Sequence, residues 1–245
     1  MARSIACAEQ DWNEQALAQP VREPAWRAWV YRECAIVLGC SQRKLLAGAH
    51  GNAGVELLLR RSGGGAVLVG PWMLGLSVVL PGAHALVGGG MVASYRWLGE
   101  LLADVLRDAG VAAQALPPDA ARAAAAARML PTLQWACFGA LSPWEVVASG
   151  RKIAGLAQVR RRHGVLLVGG LLLDAPDWPV LCAGLDQPAG DALALARCTT
   201  SWAEQGGPVP TPAVLAQTLE ARWRELLGPD AGERSISPVE RLQSA

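Results

Sequence analysis

The hydrophobic pattern of the chain changes period several times, and each change marks an element. Residues 9 to 17 suit a short opening helix. Ala35 to Leu38 is an unbroken apolar run closed by Gly39, the pattern of a brief buried strand, and a segment begun by Trp26 and Trp29 leads into it. Cys40, Ser41 and Gln42 make a polar turn, and His50 to Gly54 a loop. Val55 to Arg60 and Ala66 to Val69 read as strands on either side of the glycine run Gly63-Gly64-Gly65. Leu76 to Leu80, between Gly75 and Pro81, is another. From Met91 to Ala109 the period lengthens: apolar side chains at 91, 95, 98, 102, 105 and 106 share one helical face, and Gly110 follows as a stop.

The second half repeats the alternation. Pro117 and Pro118 open a linker, and the alanine-rich stretch Ala120 to Met129 reads as a weak helix or loop. Trp144 to Val147 and Lys152 to Val159 form a hairpin about Ser149-Gly150, and Val165 to Leu173 is a long strand after the His163-Gly164 turn. Asp174 to Pro188, with three prolines, reads as irregular. Pro210 to Leu227 is a helix with Thr211 as N-cap, Pro212 at the first position and Gly228 beyond its end. Residues 230 to 245 are polar and fray. Strands outnumber helices and run in adjacent pairs. The expected fold is α+β: a mixed, largely antiparallel sheet with helices packed mainly on one face, in a single domain over residues 10–228, followed by a flexible tail at 229–245.

Composition narrows the function. With 245 residues and 52% hydrophobic content the chain can bury a large core. A net charge of +1 gives no field favouring nucleic acid or an anionic membrane. The stretch Ser62 to Tyr95 carries no Asp, Glu, Lys or Arg, but its nine glycines and the breaks at Pro71 and Pro81 argue against a membrane helix. The six cysteines form no CxxC pair and the three histidines are isolated, so free thiols in a reducing cytoplasm and no metal site are expected.

Two stretches carry candidate chemistry. Residues 60 to 67, R-R-S-G-G-G-A-V, combine a glycine loop, which lets a ligand approach the main chain, with the fixed charges of Arg60 and Arg61. Such a run also occurs as a plain sharp turn beside a solvated Arg pair. Ninety residues on, Gly150 to Arg160 read G-R-K-I-A-G-L-A-Q-V-R, preceded by A-C-F at 136 to 138. Lys152 lies ahead of the small pair Ala154-Gly155, from where its ammonium can reach a developing oxyanion or an α-phosphate. Arg160, Arg161 and Arg162 form the sharpest basic run, suited to an acidic carrier surface or to a solvated hairpin end.

Taken together, R-R-S-G-G-G-A-V, the lysine core at 150 to 160, V-L-G-C-S-Q at 37 to 42 and the opening helix at 11 to 17 resemble the lipoate–protein ligase and octanoyltransferase family, which shares its catalytic domain with biotin ligases. The resemblance implies protein lipoylation: transfer of a lipoyl or octanoyl group to a lysine of a lipoyl carrier domain in 2-oxoacid dehydrogenase or glycine cleavage complexes. It implies lipoate or octanoyl-acyl carrier protein as substrate, ATP with Mg for a ligase, and no tightly bound cofactor. Lys152 falls on the motif lysine. Cys137, in A-C-F, matches the nucleophile of the cysteine-dependent octanoyltransferases. Arg60, Arg61, Gly63, Gly64, Gly65, Ala66 and Gly155 are the expected substrate-binding positions. Two departures stand out: Leu68, Val69 and Gly70 occupy the place of a His-Asp pair, and Val168, Gly169 and Gly170 that of His-Gly-Ser/Thr. They favour a transferase over an ATP-dependent ligase, and their alternative is a non-catalytic acyl- or carrier-binding protein on the same fold.

Overall fold

The computed structural model describes residues 3–48, 54–127 and 132–227. The chain opens with α1 (Ile5–Ala16), capped by Ser4, whose hydroxyl accepts from the Cys7 amide. The strands β1 (Ala25–Val30) and β2 (Ala35–Leu38) follow, then the short α2 (Arg43–Gly48), β3 (Glu56–Leu59), β4 (Val67–Val69) and β5 (Met73–Leu80). A one-turn α3 (Gly90–Ala93) precedes α4 (Arg96–Asp108), β6 (Ala113–Ala115) and α5 (Pro118–Ala127). After β7 (Val146–Ala148), β8 (Arg151–Arg161) and β9 (Gly164–Leu172) come α6 (Trp178–Gly184), α7 (Ala189–Cys198) and α8 (Pro212–Leu227).

Six strands form one sheet in the order β1-β5-β9-β8-β7-β6, every neighbouring pair antiparallel. A second sheet, β3-β2-β4, is mixed: β2 runs parallel to β3 and antiparallel to β4. The fold is therefore α+β with a mixed, largely antiparallel strand arrangement. The two strands flanking the glycine loop do not pair with each other; both pair with β2, so the loop spans a whole strand instead of closing a hairpin.

β5 is buried along its full length, because its two faces serve two cores. Leu74, Leu76, Val78 and Leu80 meet α4 and α8 through Leu98, Leu102, Leu106, Leu219 and Trp223. Met73 faces the other way, into a core that joins the small sheet to α6 and α7 through Ile36, Leu68, Leu181 and Leu195. α1 packs on that same side, against β1 and β5. The helices thus divide between the two faces: α4 and α8 on one, α1, α6 and α7 on the other. Each buried aliphatic side chain of this kind contributes about 1.5–3 kcal/mol.

Several elements differ from the sequence pattern. The long helical run from Met91 is two helices, interrupted by a turn at Ser94 and Tyr95, and Met91 and Val92 lie exposed on the first of them. The Trp26–Trp29 segment is a strand of its own, β1. The alanine-rich stretch forms α5 from Pro118, with Asp119 in its first turn. The proline-rich segment after residue 174 contains α6, which starts at Asp177: its carboxylate accepts from the Val180 amide and Pro179 fits the first turn. α7 was not foreseen. The β7–β8 hairpin turns at Ser149 and Gly150, both left-handed, with φ of 50° and 72°. Thr211 caps α8 as expected. Gly228, the 229–245 tail and most of the 50–54 loop lie outside the described residues.

Candidate active site

Three segments distant in sequence meet at the edge of β8. The glycine loop reaches the Cys137 segment through main-chain bonds: the Ala66 amide donates to the Trp135 carbonyl at 2.7 Å, and the Cys137 amide donates to the Ala66 carbonyl at 2.8 Å. Gly65 makes this approach possible. A Cβ there would lie 2.6–2.8 Å from the backbone of residues 135–137, closer than any side chain tolerates. A Cβ on Gly39, likewise, would collide with the Gly64 carbonyl at 1.9 Å.

Lys152, on β8, is 1% exposed. Its ammonium donates to the carbonyls of Cys137 (2.7 Å) and Ala140 (3.1 Å), pairs with the Glu145 carboxylate at 2.7 Å and lies 5.1 Å above the Phe138 ring. Three acceptors match its three N–H bonds. Glu145 is equally committed. It is 2% exposed; Oε1 accepts from the Leu156 amide at 3.2 Å and Oε2 from the Ser142 amide at 2.7 Å. A charge so deep inside a protein persists only when paired and hydrogen-bonded. Here each member of the pair supplies the other's condition. The ammonium also clamps the turn at 137–140 that carries the cysteine.

Gly155 is the point where the candidates converge. A methyl group placed there would sit 3.4 Å from Cys137 Sγ, 3.4 Å from Lys152 Nζ and 3.2 Å from Lys152 Cε. Sulfur and ammonium thus face one another over a gap that any larger residue would fill. Cys137 is half-buried, and all six cysteines are thiols. From Cys137 a narrow, mainly apolar slot runs between Val37, Val67, Met73, Phe138 and Leu156, with Gly155, Gly169 and Gly170 as bare stretches of wall. On the other side of Cys137 a polar cavity of about 290 Å³ is bounded by Ser41, Gln42, Gln134, Ser142 and Glu145.

The structure gathers Lys152, Cys137, Gly155, Gly64, Gly65 and Ala66 in this region. Arg60 lines both cavities, but its guanidinium is turned onto the loop itself, donating to the Gly63 and Gly65 carbonyls at 2.8–3.2 Å. It holds the loop's shape from inside. Arg61 points elsewhere: it pairs with Glu14 on α1, at the exposed surface. Arg160 is bound to the Val87 and Gly90 carbonyls and to Ser94. Among the described residues no group of His, Cys, Asp and Glu could hold a metal ion, and no helix is long and apolar enough to cross a membrane.

Sequence reading passed over Glu145, although a signal existed. Ser142-Pro143-Trp144-Glu145 has the serine-to-glutamate spacing of a capping box, and the carboxylate does reach back to the Ser142 amide. It also passed over Glu9, Asn13 and Tyr31, which line the slot as well. Glu9 and Asn13 stand one turn apart on α1, and both are 6% exposed.

Comparison with known proteins decides the lineage. Residues 5–188 match the family described as the lipoyl protein ligase A/B catalytic domain. The chain belongs to that family. It is 32% identical over 126 residues to octanoyltransferase LipM of Macrococcus caseolyticus (strain JCSC5402), a match covering 51% of this chain and 45% of that protein. The chain thus spans about half the length of the curated relatives it matches. Lipoate-protein ligase A bound with ATP superposes with a TM-score of 0.64 at 21% identity, over 94% of this chain and 84% of the ligase. A bi-partite lipoate protein ligase of Thermoplasma acidophilum, solved within a study of the ligase and its E2 lipoyl domain, gives 0.64 at 19% identity, over 97% and 84%. At such identities these two share the fold.

Proposed function

We propose that this protein is an acyltransferase of protein lipoylation, which passes an octanoyl or lipoyl group through a thioester on Cys137 to a lysine of a lipoyl carrier domain. The observation that carries the reading is the convergence of Cys137 Sγ and Lys152 Nζ on one point beside Gly155, at the mouth of the apolar slot. The slot suits an acyl chain. The polar cavity on the other side of the sulfur suits the donor's thioester arm and then the acceptor lysine.

In the first half-reaction Cys137 attacks the thioester carbonyl of an acyl carrier protein donor. The carbon–sulfur bond to the carrier breaks, and the carrier thiol leaves with the proton that Cys137 gave up. In the second, the neutral lysine amine of the acceptor attacks the enzyme thioester. An amide forms, and the excess proton of the nitrogen returns to Cys137. Lys152 is the nearest cation to both tetrahedral intermediates and fixes the 137–140 turn that presents the sulfur. Its bond to Glu145 keeps it in place through both steps. The sequence relatives named octanoyltransferase support this route over ATP-dependent activation. The acceptor class rests on the lipoyl domain named with the T. acidophilum ligase.

Incubation with octanoyl-acyl carrier protein and intact-mass measurement tests the route. One octanoyl adduct is expected on the wild-type chain and none on Cys137→Ser. Octanoylation of a lipoyl domain by Cys137→Ser, dependent on ATP and octanoate, would replace the transferase reading by the ligase one.

A further inference from the structure

The segment that carries Cys137 is held twice. Lys152 grips the carbonyls of Cys137 and Ala140 from β8. A second grip comes from α7, which starts at Ala189, just past residue 188 where the family match ends. The Trp135 indole Nε1 donates to Asp191 Oδ2 at 2.9 Å. The Cys198 thiol, shared with the Leu195 carbonyl, donates to the Phe138 carbonyl at 3.4 Å. Asp191 and Cys198 stand two turns apart on the helix, a rise of about 10 Å. Trp135 and Phe138 are separated by three residues of chain, a reach of at most about 10 Å. One face of α7 therefore lies along the nucleophile's segment, with the fully buried Leu195 in its middle.

Trp135 is the junction. Its carbonyl accepts from the Ala66 amide at 2.7 Å and from Gln42 Nε2 at 2.8 Å, so its backbone sets how the glycine loop stands against the sulfur two residues on. The half-buried indole on the same residue is anchored by Asp191, whose carboxylate is a strong acceptor. Asp191 also stands in the first turn of α7, where a negative charge favours the helix. That benefit alone would make it a matter of stability and not of rate. We propose that Asp191 is a positioning residue for the acylation of Cys137: through Trp135 it fixes the segment that sets the sulfur beside Lys152. The role rests on Cys137 being the acylated thiol.

Rates measured below the unfolding temperature test it. Octanoylation of Cys137 by octanoyl-acyl carrier protein is followed by intact mass over a range of donor concentrations. Asp191→Ala is expected to lower the maximal rate about tenfold, the scale of a slightly misplaced nucleophile, with the half-saturating donor concentration unchanged. Asp191→Asn keeps an acceptor for the indole and loses the charge at the head of α7. It should melt lower than the wild type yet acylate within about threefold of it. Trp135→Phe removes the same bond from its other side and should match Asp191→Ala, and the double variant should be no slower than either single one. A wild-type rate in Asp191→Ala, an equal loss in Asp191→Asn, or additive losses in the double variant each overturn the proposal. Should Asp191→Ala fail to fold, Trp135→Phe and Asp191→Asn decide: a loss in the first with none in the second supports the role, and any other pair of results overturns it. Amide exchange without substrate is expected to be faster over residues 133–139 in Asp191→Ala than in the wild type. Faster exchange with no octanoyl adduct on the wild type overturns the catalytic reading and leaves the Asp191 latch standing. An acylated wild type matched in rate by Asp191→Ala overturns the latch alone.

Discussion

Glu145 and Glu9 are both buried carboxylates, one beside the polar cavity and one beside the apolar slot, yet their surroundings oppose each other. Glu145 has an ammonium at 2.7 Å and two backbone amides, so every strong demand of its charge is met. Glu9 meets a phenol and an amide, and the nearest cation, Arg60, is spent on glycine carbonyls. Burial therefore wins at Glu9 and raises its carboxyl to about 7. The lesson concerns charge balance. The region that carries the reactive sulfur is a charge-balanced clamp with all of its strong hydrogen bonds made, whereas the Glu9 region holds a buried carboxyl with no ion-pair partner among the described residues.

The sharpest way to break the clamp is Lys152→Ala. It strands Glu145 as an uncompensated buried charge, so stability should fall by about 3–5 kcal/mol, and thioester formation should fall at least 100-fold. The double change Lys152→Met with Glu145→Gln separates the two effects: denaturant midpoints should recover most of the loss, and acylation should not. Undiminished acylation in the double variant would refute a role for the ammonium beyond folding.

Beside the slot, Glu9→Gln should remove a pH dependence. Burial raises the folded-state carboxyl to about 7 from its ordinary 4.5, so between these values the folded state binds the proton and the unfolded state does not. Stability from this group is complete below pH 4.5 and declines as pH rises through 7, by on the order of 3 kcal/mol in all. Thermal melts at pH 5 and pH 8 should differ more in the wild type than in Glu9→Gln. A wild-type difference no larger than the variant's would place Glu9 in a wetter setting.

Gly65→Ala probes the joint between the two regions. Its Cβ at 2.6–2.8 Å from main-chain atoms must displace residues 135–137, with a stability loss of about 1–3 kcal/mol and a larger proportional loss of acylation than of binding in the slot. The smallest effect is expected for Arg61→Ala. Its pair with Glu14 is exposed on both sides, with side-chain exposures of 59% and 57%, so less than about 1 kcal/mol is at stake, and octanoyl transfer should be unchanged. A tenfold loss of transfer would return Arg61 to the substrate site where the motif put it.

Much was legible in the residues themselves. The unbroken apolar runs gave β2, β4, β8 and β9 near their true bounds and the second half of β5, because strands that sit between two cores are apolar on both faces. The glycine triplet, the lysine strand and A-C-F pointed to the segments that do meet. Local pattern misled where a two-residue turn interrupts a helix, as at Ser94 and Tyr95, or where a cap starts a helix amid prolines, as at Asp177.

What the sequence by itself determined is a set of types and spacings: a thiol fifteen positions before a lysine, three glycines after an arginine pair, and a small-residue strand. Only the tertiary structure decided what those groups touch. Arg60 and Arg61 are neighbours in the chain, yet one turns inward to hold a loop and the other outward to an exposed carboxylate. Glu145 becomes the lysine's partner and Asn13 part of the slot wall through packing between elements far apart in sequence. A side chain's charge is written in its residue type; whether that charge is paired, buried or free is set by contacts that no local spacing encodes.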